Sequence, residues 1–335
     1  MSSVSFEASR RPGGGPDRSA VVLDPLVRRL VDASAAPPYL HQLGPVDARQ
    51  ALVEIQGGTR GDFGVESVFR VAPVGPSGLV GFWVFRPSRP PGPLPMVMYL
   101  HGGRWMLGDA CTHAGIISEL ADRSGAALVV PEYTRTPEAR YPVALEESYA
   151  VLTWLAEHAA GLGLDGGRLA VAGDCAGATM ATALTMMAKQ RGGPRVRAQL
   201  LYTPMTDPDC DTPSREQFAS GYLLTRAALE WYWRQYADDE HELAEPTASP
   251  LRAAREDLAG LPPALVVTAE ADVVRDEGEQ YARLLREAGV PVTAVRYLGT
   301  VHDFASLCAL RNSPPTGAAL RQGGAFLREA LAGRH

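Results

Sequence analysis

The sequence predicts an α/β fold with a mostly parallel central sheet, helices on both faces and a helical cap. Three observations support this fold class. Short buried runs alternate with helical patterns from about residue 95 onward, which is typical of a parallel sheet covered on both faces. Two extended segments precede this alternation and predict an antiparallel edge. A polar and aromatic stretch at about 205–245 interrupts it and predicts an insertion.

The N-terminal part of the chain reads as helical. In residues 23–55, Leu26, Leu30 and Val31 follow helical spacing before Pro37-Pro38 break the pattern. This part lies outside the strand–helix rhythm, as does the insertion. We therefore expect both to form the cap, and residues 56–335 to form the catalytic domain that carries the insertion.

A hairpin is predicted next. The extended runs 67–74 and 79–86 flank Gly75-Pro-Ser-Gly78, whose residues favour a turn. The alternation that follows predicts strands at 95–100, 127–130, 168–172, 199–202, 264–268 and 292–297, and helices at 113–124, 144–158, 176–189, 277–288 and 317–331.

Composition excludes several classes of protein. The 32 basic and 38 acidic residues give a net charge of −6, which argues against nucleic-acid binding. No apolar run approaches the roughly 18 residues of a membrane span. Residues 1–22 are rich in Gly, Pro and Ser without an apolar signal core, so we expect a disordered tail and a cytoplasmic protein. Four scattered cysteines show no metal-ligand spacing, and neither a metal nor a cofactor is expected. A homodimer is left open.

One corner of the predicted sheet carries a candidate nucleophile. Residues 169–178 combine a strand-like run, a tight Gly-x-Cys-x-Gly corner and a helical pattern. In the form Gly-x-Ser-x-Gly this is the nucleophile elbow, which exposes one side chain at the top of a parallel sheet. The side chain at this position is the thiol of Cys175.

Two further segments supply chemistry at strand ends. In residues 99–105, Gly102 and Gly103 let backbone N–H groups face a pocket in which an oxyanion could be held. Asp272 and His302 each follow a predicted strand, where open α/β sheets place their ligands. The chain order of nucleophile, acid and histidine is that of the α/β-hydrolases.

Taken together, these motifs resemble the hormone-sensitive-lipase-like branch of the α/β-hydrolases, the bacterial carboxylesterases, from about Leu23 to the C-terminus. The family motifs HGGGW, GDSAGG, DPLRDEG and His-x-Phe correspond here to His101-Gly-Gly-Arg-Trp105, Gly173-Asp-Cys-Ala-Gly-Ala178, Asp272-Val-Val-Arg-Asp-Glu-Gly278 and His302-Asp-Phe304.

The resemblance implies a role for each matched residue. Cys175 would be the nucleophile, His302 the general base and acid, and Asp272 the residue that orients His302. The oxyanion hole would comprise Gly102, Gly103, Arg104 and Ala176. Aromatic residues near the loop and in the cap would contact the substrate, namely Trp105, Phe218 and Tyr222, whereas we expect Trp231 and Trp233 to pack the cap helices.

Two departures from the family pattern matter. Arg104 replaces the third glycine of the oxyanion motif, so it carries strain if its φ is positive. We expect its side chain to face solvent; the alternative is that the guanidinium reaches the pocket and holds a substrate oxygen. Asp276 lies near the acid and is expected to form a structural ion pair.

Cys175 is the second departure and leaves three interpretations. It is a functional nucleophile, a small buried residue in an inactive hydrolase, or a serine exchanged deliberately to trap a complex. Retention of Asp272 and His302 favours the nucleophile. A helix N-terminus and a neighbouring histidine favour a thiolate, and attack by sulfur would form a thioester acyl-enzyme.

The leading functional hypothesis is an acyl hydrolase acting on a small to medium ester or thioester. A second hypothesis is an acyltransferase, cyclase or thioesterase of specialised metabolism that uses the same residues. A third, from another class, is a non-catalytic ligand-binding protein on the hydrolase scaffold.

Overall fold

The computed structural model describes residues 21–57, 65–87 and 92–332. Its centre is one eight-stranded sheet with the strand order β1-β2-β4-β3-β5-β6-β7-β8. The strands are β1 (Glu66–Ala72), β2 (Val80–Arg86), β3 (Leu94–Leu100), β4 (Ala127–Pro131), β5 (Leu164–Asp174), β6 (Val196–Tyr202), β7 (Ala264–Ala271) and β8 (Val292–Val301).

Strand pairing confirms the predicted fold class. The first two strands form the expected hairpin, in antiparallel register from Glu66 opposite Arg86 to Ala72 opposite Val80. Strand β2 also runs antiparallel to β4, and the remaining neighbours are parallel. The predicted disordered tail falls almost wholly on residues 1–20, which lie outside the described residues.

Helices cover both faces of the sheet. They are α1 (Pro25–Ala33), α2 (Pro45–Ile55), α3 (Ala114–Ser124), α4 (Val143–His158), α5 (Ala176–Gln190), α6 (Pro213–Gln217), α7 (Arg226–Tyr236), α8 (Glu240–Ala244), α9 (Arg255–Leu258), α10 (Arg275–Glu287) and α11 (Pro314–Leu331). Helices α1, α3 and α11 contribute to the core on one face, and α4, α5 and α10 to the core on the other.

The alternation of side chains along β3 explains why there are two core layers. Met96 and Met98 belong to the layer that includes α5, whereas Val97 and Tyr99 belong to the layer that includes α3. Successive residues of a strand point to opposite faces, so a strand buried on both sides must be apolar throughout. This burial fixes the ends of the central strands, where the candidate site lies.

The two helical regions outside the sheet come together above its C-terminal edge. A cavity there is lined by Leu30 of α1, by Leu52 of α2 and by Ala228 of α7. Helix α7 is joined to the body of the protein by a hydrogen bond of 2.8 Å from the Tyr141 N–H to the Tyr236 carbonyl. Both regions therefore lie where a cap is predicted. In the described part of the chain, no helix has the length and apolar character to cross a membrane.

Candidate active site

The corner between β5 and α5 presents Cys175. Its backbone has φ 54° and ψ −124°, and α5 begins at the next residue. Glycines flank the corner because there is no room for a Cβ. A Cβ at Gly173 would collide with the carbonyl of Gly177, and one at Gly177 would collide with the carbonyl of Leu100. The local sequence therefore forces a sharp turn with the thiol at its tip, as in a nucleophile elbow.

The loop after β3 lies directly against this corner. A Cβ at Gly102 would come within 2.5 Å of the Asp174 carboxylate, and Gly103 has φ 103°. The N–H of Gly102 donates to Asp174 Oδ1 at 3.0 Å. This N–H is therefore occupied, which corrects the expectation that Gly102 contributes to an oxyanion hole.

Other backbone donors remain for that purpose. Within the described residues, the N–H groups of Gly103, Arg104 and Ala176 donate no hydrogen bond to another protein group. Two of them belong to the loop and one to the first residue of α5. Unoccupied N–H groups on the segments that flank a nucleophile are candidates to stabilise an oxyanion.

Asp174 ties the loop to the corner. Its Oδ1 accepts from the Tyr99 hydroxyl at 2.5 Å, and its Oδ2 lies 3.5 Å from His113 Nε2. Burial alone would raise the pKa of Asp174. The charge of His113 and the hydrogen bonds from His113 and Tyr99 outweigh burial and lower that pKa to about 2. The carboxylate is therefore ionised at neutral pH and fixes the loop with charge-assisted hydrogen bonds.

The three side chains predicted from the family motifs come together. Asp272 follows β7 and His302 follows β8, so both lie at the C-terminal edge of the sheet. His302 Nδ1 lies 2.9 Å from Asp272 Oδ2, and His302 Nε2 lies 3.1 Å from Cys175 Sγ. The other Asp272 oxygen accepts from the N–H of Val274 at 3.0 Å.

His302 is strongly biased towards its charged form. Burial would lower the pKa of His302, but the negative charges of Asp272, Asp303 and Cys175 raise it well above its usual value. An imidazole held between a carboxylate and a thiol can move a proton to and from sulfur.

Arg104 departs from the expectation that its side chain faces solvent. Its φ is 57°, and the guanidinium turns into the protein, where the side chain is 12% exposed. Nη2 donates to Asp303 Oδ2 at 3.0 Å, and the guanidinium carbon lies 5.6 Å from the Tyr232 ring centre. Left-handed backbone at this position directs the side chain inward, so the solvent-facing prediction is wrong.

The cavity above the site has a volume of about 460 Å³. Its lining includes Arg104, His302 and Asp303, and the rest is mainly aliphatic, for example Leu40 and Leu224. An apolar cavity with a few polar groups at one end is the common form of a small-molecule site.

The aromatic residues predicted to contact substrate lie elsewhere and do not line this cavity. Trp105 is 1% exposed and stacks on Tyr236, with ring centres 3.9 Å apart. Phe218 packs edge-on against Tyr222 at 5.1 Å. These rings therefore pack against other aromatic side chains. Asp276 forms the expected ion pair, 2.7 Å from Arg275.

One cluster near the site has the atoms of a metal site. The sulfur of Cys175, a ring nitrogen of His302 and a carboxylate oxygen of Asp303 lie within 4.8 Å of one another. The guanidinium of Arg104 is bonded to that carboxylate and places a fixed positive charge beside the cluster. A cation is therefore disfavoured there by Coulomb repulsion.

Three residues beside the thiol were missed by the sequence analysis. Asp174 and Asp303 lie within the quoted motifs, directly next to Cys175 and His302. Their sequence position could therefore have indicated that they lie near the thiol. No sequence pattern indicated Met205. It is distant from Cys175 in the chain, and the fold places its sulfur 3.4 Å from Cys175 Sγ.

Comparison with known proteins agrees with this geometry. Residues 97–306 match the family described as having the alpha/beta hydrolase fold. Esterase LipI of Mycobacterium tuberculosis is 37% identical over 77% of this chain and 81% of its own length. Carboxylesterase NlhH of the same organism is 38% identical over 71% of this chain and 74% of its own length.

A solved structure is similar over nearly the whole chain. The thermostable esterase from Pseudomonas putida ECU1011 is 42% identical, with a TM-score of 0.89, over 95% of this chain and 99% of the other. The fold and the matched residues define an α/β-hydrolase. Within that class, the chain belongs to the hormone-sensitive-lipase-like carboxylesterase branch, with cysteine at the position of the nucleophilic serine.

Proposed function

We propose that this protein is an ester-hydrolysing enzyme in which Cys175, His302 and Asp272 act as nucleophile, base and orienting acid. The observation that carries the proposal is the unbroken chain of contacts from Asp272 through His302 to the sulfur, at 2.9 and 3.1 Å. An inactive relative or a ligand-binding protein would have no need of this alignment.

In the proposed mechanism, sulfur attacks the carbonyl carbon of the ester. His302 takes the thiol proton at Nε2, and the carbonyl oxygen becomes an oxyanion held by the N–H groups of Gly103, Arg104 and Ala176. The ester C–O bond breaks as the proton passes from Nε2 to the leaving alcohol. Water, deprotonated by His302, then cleaves the thioester and releases the acid.

The cavity favours a small to medium substrate with an apolar portion. Its volume of about 460 Å³ and its aliphatic walls would exclude bulk water from that portion. The wall residues come from the two cap regions, so the cap rather than the sheet would select the substrate.

A second candidate function, acyl transfer, is favoured by the thiol itself. A thioester transfers its acyl group readily to amines, thiols and alcohols, and the largely apolar cavity would limit the access of water. In this case the acyl-enzyme would accumulate until an acceptor enters.

The experiment is incubation with short-chain aryl esters, followed by intact-mass and peptide-mass spectrometry. We expect an acyl adduct on Cys175 and a loss of turnover of about a thousandfold or more in Cys175→Ala. Adduct with continuous product release would indicate hydrolysis, and adduct that clears only with an added amine or alcohol would indicate transfer.

The other three cysteines provide the control, because peptide mapping distinguishes them and Cys210→Ala should behave as wild type. Turnover by Cys175→Ala at the wild-type rate would overturn the proposed nucleophile. Cys175→Ser tests the surroundings of sulfur, since ester hydrolysis by that variant would show that the oxyanion donors also serve an oxygen nucleophile.

A further inference from the structure

A second carboxylate faces the reactive nitrogen of His302. Asp303 Oδ1 lies 3.3 Å from His302 Nε2, the same nitrogen that lies 3.1 Å from Cys175 Sγ. Asp272 already occupies Nδ1 on the other side of the ring. The imidazole is therefore placed between two carboxylates, although one is sufficient to orient it.

The position of Asp303 is fixed by its backbone and by Arg104. Its φ is 60°, and its carbonyl accepts from the N–H groups of Ser306 and Leu307, each at 3.0 Å. Arg104 Nη2 holds the second carboxylate oxygen at 3.0 Å, and both side chains are only 12% exposed. Two non-glycine residues in left-handed conformation, Arg104 and Asp303, thus meet in one partly buried ion pair.

The charges around the thiol alternate in sign. A proton on His302 Nε2 faces the sulfur and the Asp303 carboxylate, while the positive charge of Arg104 interacts with both anions. Two further titratable groups lie near Arg104. Burial, against the opposing charge of Arg104, raises the pKa of Tyr232 to about 12, so Tyr232 stays neutral. Burial and the charge of Arg104 lower the pKa of His41, which favours its neutral form.

The two states of the Cys175–His302 pair differ by the position of one proton. When the proton moves from sulfur to Nε2, the imidazolium gains the attraction of Asp303 at 3.3 Å and the thiolate gains that of Arg104. Asp303 also repels the thiolate, because its carboxylate lies within 4.8 Å of the sulfur as well as 3.3 Å from the imidazole nitrogen. Its attraction for the imidazolium is offset only in part, so the charge-separated state is favoured.

We propose that Asp303, held by Arg104, is a positioning residue that keeps His302 as imidazolium and Cys175 as thiolate before substrate arrives. This inference rests on the proposed function of Cys175. It also explains why a thiol suits this site. A serine hydroxyl does not ionise near neutral pH, so only a thiol can form this resting ion pair with His302.

The test separates the effect of Asp303 on His302 from the nucleophile. Cys175→Ala and Cys175→Ala/Asp303→Asn are compared by ¹⁵N NMR titration of the imidazole, whose signal is assigned by its loss in a His302→Gln variant. We expect at least about tenfold weaker proton affinity of His302 without the Asp303 charge. Equal titration in the two variants would overturn the proposal and leave the nucleophile claim intact.

A second measurement reads the thiolate directly. Absorbance at 240 nm, taken as the difference from the matching Cys175→Ala variant, reports ionised Cys175 without requiring access to the buried thiol. We expect a smaller thiolate signal at pH 7 in Asp303→Asn than in the wild type, recovered at alkaline pH. An unchanged signal would contradict the proposal.

The matched control is Asp276→Asn. Asp276 pairs with Arg275 at similar burial, but its other carboxylate oxygen accepts from the Ser214 N–H rather than facing His302. Its loss should leave both the thiolate signal and the His302 titration unchanged. If turnover instead proves independent of Cys175, the proposed function fails whatever the titrations show.

Discussion

The nucleophile elbow and the oxyanion loop lie side by side, and position 104 of the loop differs from the glycine positions of the elbow in what it demands. In the elbow, Gly173 and Gly177 are required by space, since a Cβ at either would collide with a backbone carbonyl. In the loop, position 104 requires only a left-handed backbone, and Arg104 adopts it with φ 57°. Lack of space excludes every side chain, whereas a positive φ adds only a moderate energy. Position 104 can therefore carry a side chain, whereas positions 173 and 177 cannot.

The largest effect expected from this comparison is at Gly177. We expect Gly177→Ala to lower the free energy of unfolding by about 3 kcal/mol, because the added methyl meets the carbonyls of Leu100 and His101. Chemical denaturation measures the change. The control is Gly161→Ala, where no atom lies within 4 Å of the added carbon. Equal stability of the two variants would show that α5 moves away from the loop at little cost.

The next effect concerns Asp174, which joins the two regions. Asp174→Asn removes the charge that holds Tyr99, Gly102 and His113, and we expect a loss of about 2 kcal/mol at pH 7. The pKa of Asp174 is about 2 in the folded protein, against 3.8 for an ordinary aspartate. A lowered carboxyl pKa stabilises the fold above the unfolded value, and this contribution disappears as pH falls through the folded value.

The pH dependence gives this prediction a sharper form. The difference in stability between wild type and Asp174→Asn should shrink between about pH 4 and pH 2, as Asp174 is protonated, and again at alkaline pH, as His113, whose pKa Asp174 raises, loses its proton. Denaturation at a series of pH values measures it. A difference that persists undiminished at pH 2 would mean that the lost hydrogen-bond geometry, and not the charge, accounts for the effect.

The central strands and the three motif residues were predictable because they depend on local pattern. The apolar run of β3 gave its burial on both faces, and the family motifs gave Cys175, Asp272 and His302. The strand predicted at 168–172 missed the beginning of β5 at Leu164, where Gly166 and Gly167 interrupt the apolar pattern. The correct predictions and the missed strand beginning both depended on the pattern of a few neighbouring residues.

The surroundings of the thiol were not predictable, because they depend on side-chain direction and long-range packing. Arg104 turns inward only because its φ is positive, and a sequence does not give φ for a non-glycine residue. Trp105 was assigned to the substrate, yet it stacks on Tyr236 from a helix more than a hundred residues later in the chain. The two helical regions outside the strand–helix rhythm could be recognised from the sequence, but their contacts could not.

The smallest expected effect concerns the left-handed backbone of Arg104. Arg104→Ala and Arg104→Gly both remove the guanidinium and its bond to Asp303. In the folded protein the two variants then differ in how easily residue 104 adopts φ 57°. We expect the glycine variant to be more stable than the alanine variant by about 1 kcal/mol, because only glycine adopts this backbone without strain. Thermal or denaturant unfolding of the pair measures the difference. Equal stability would indicate that the loop relaxes once the ion pair with Asp303 is gone, and that this pair holds the left-handed turn.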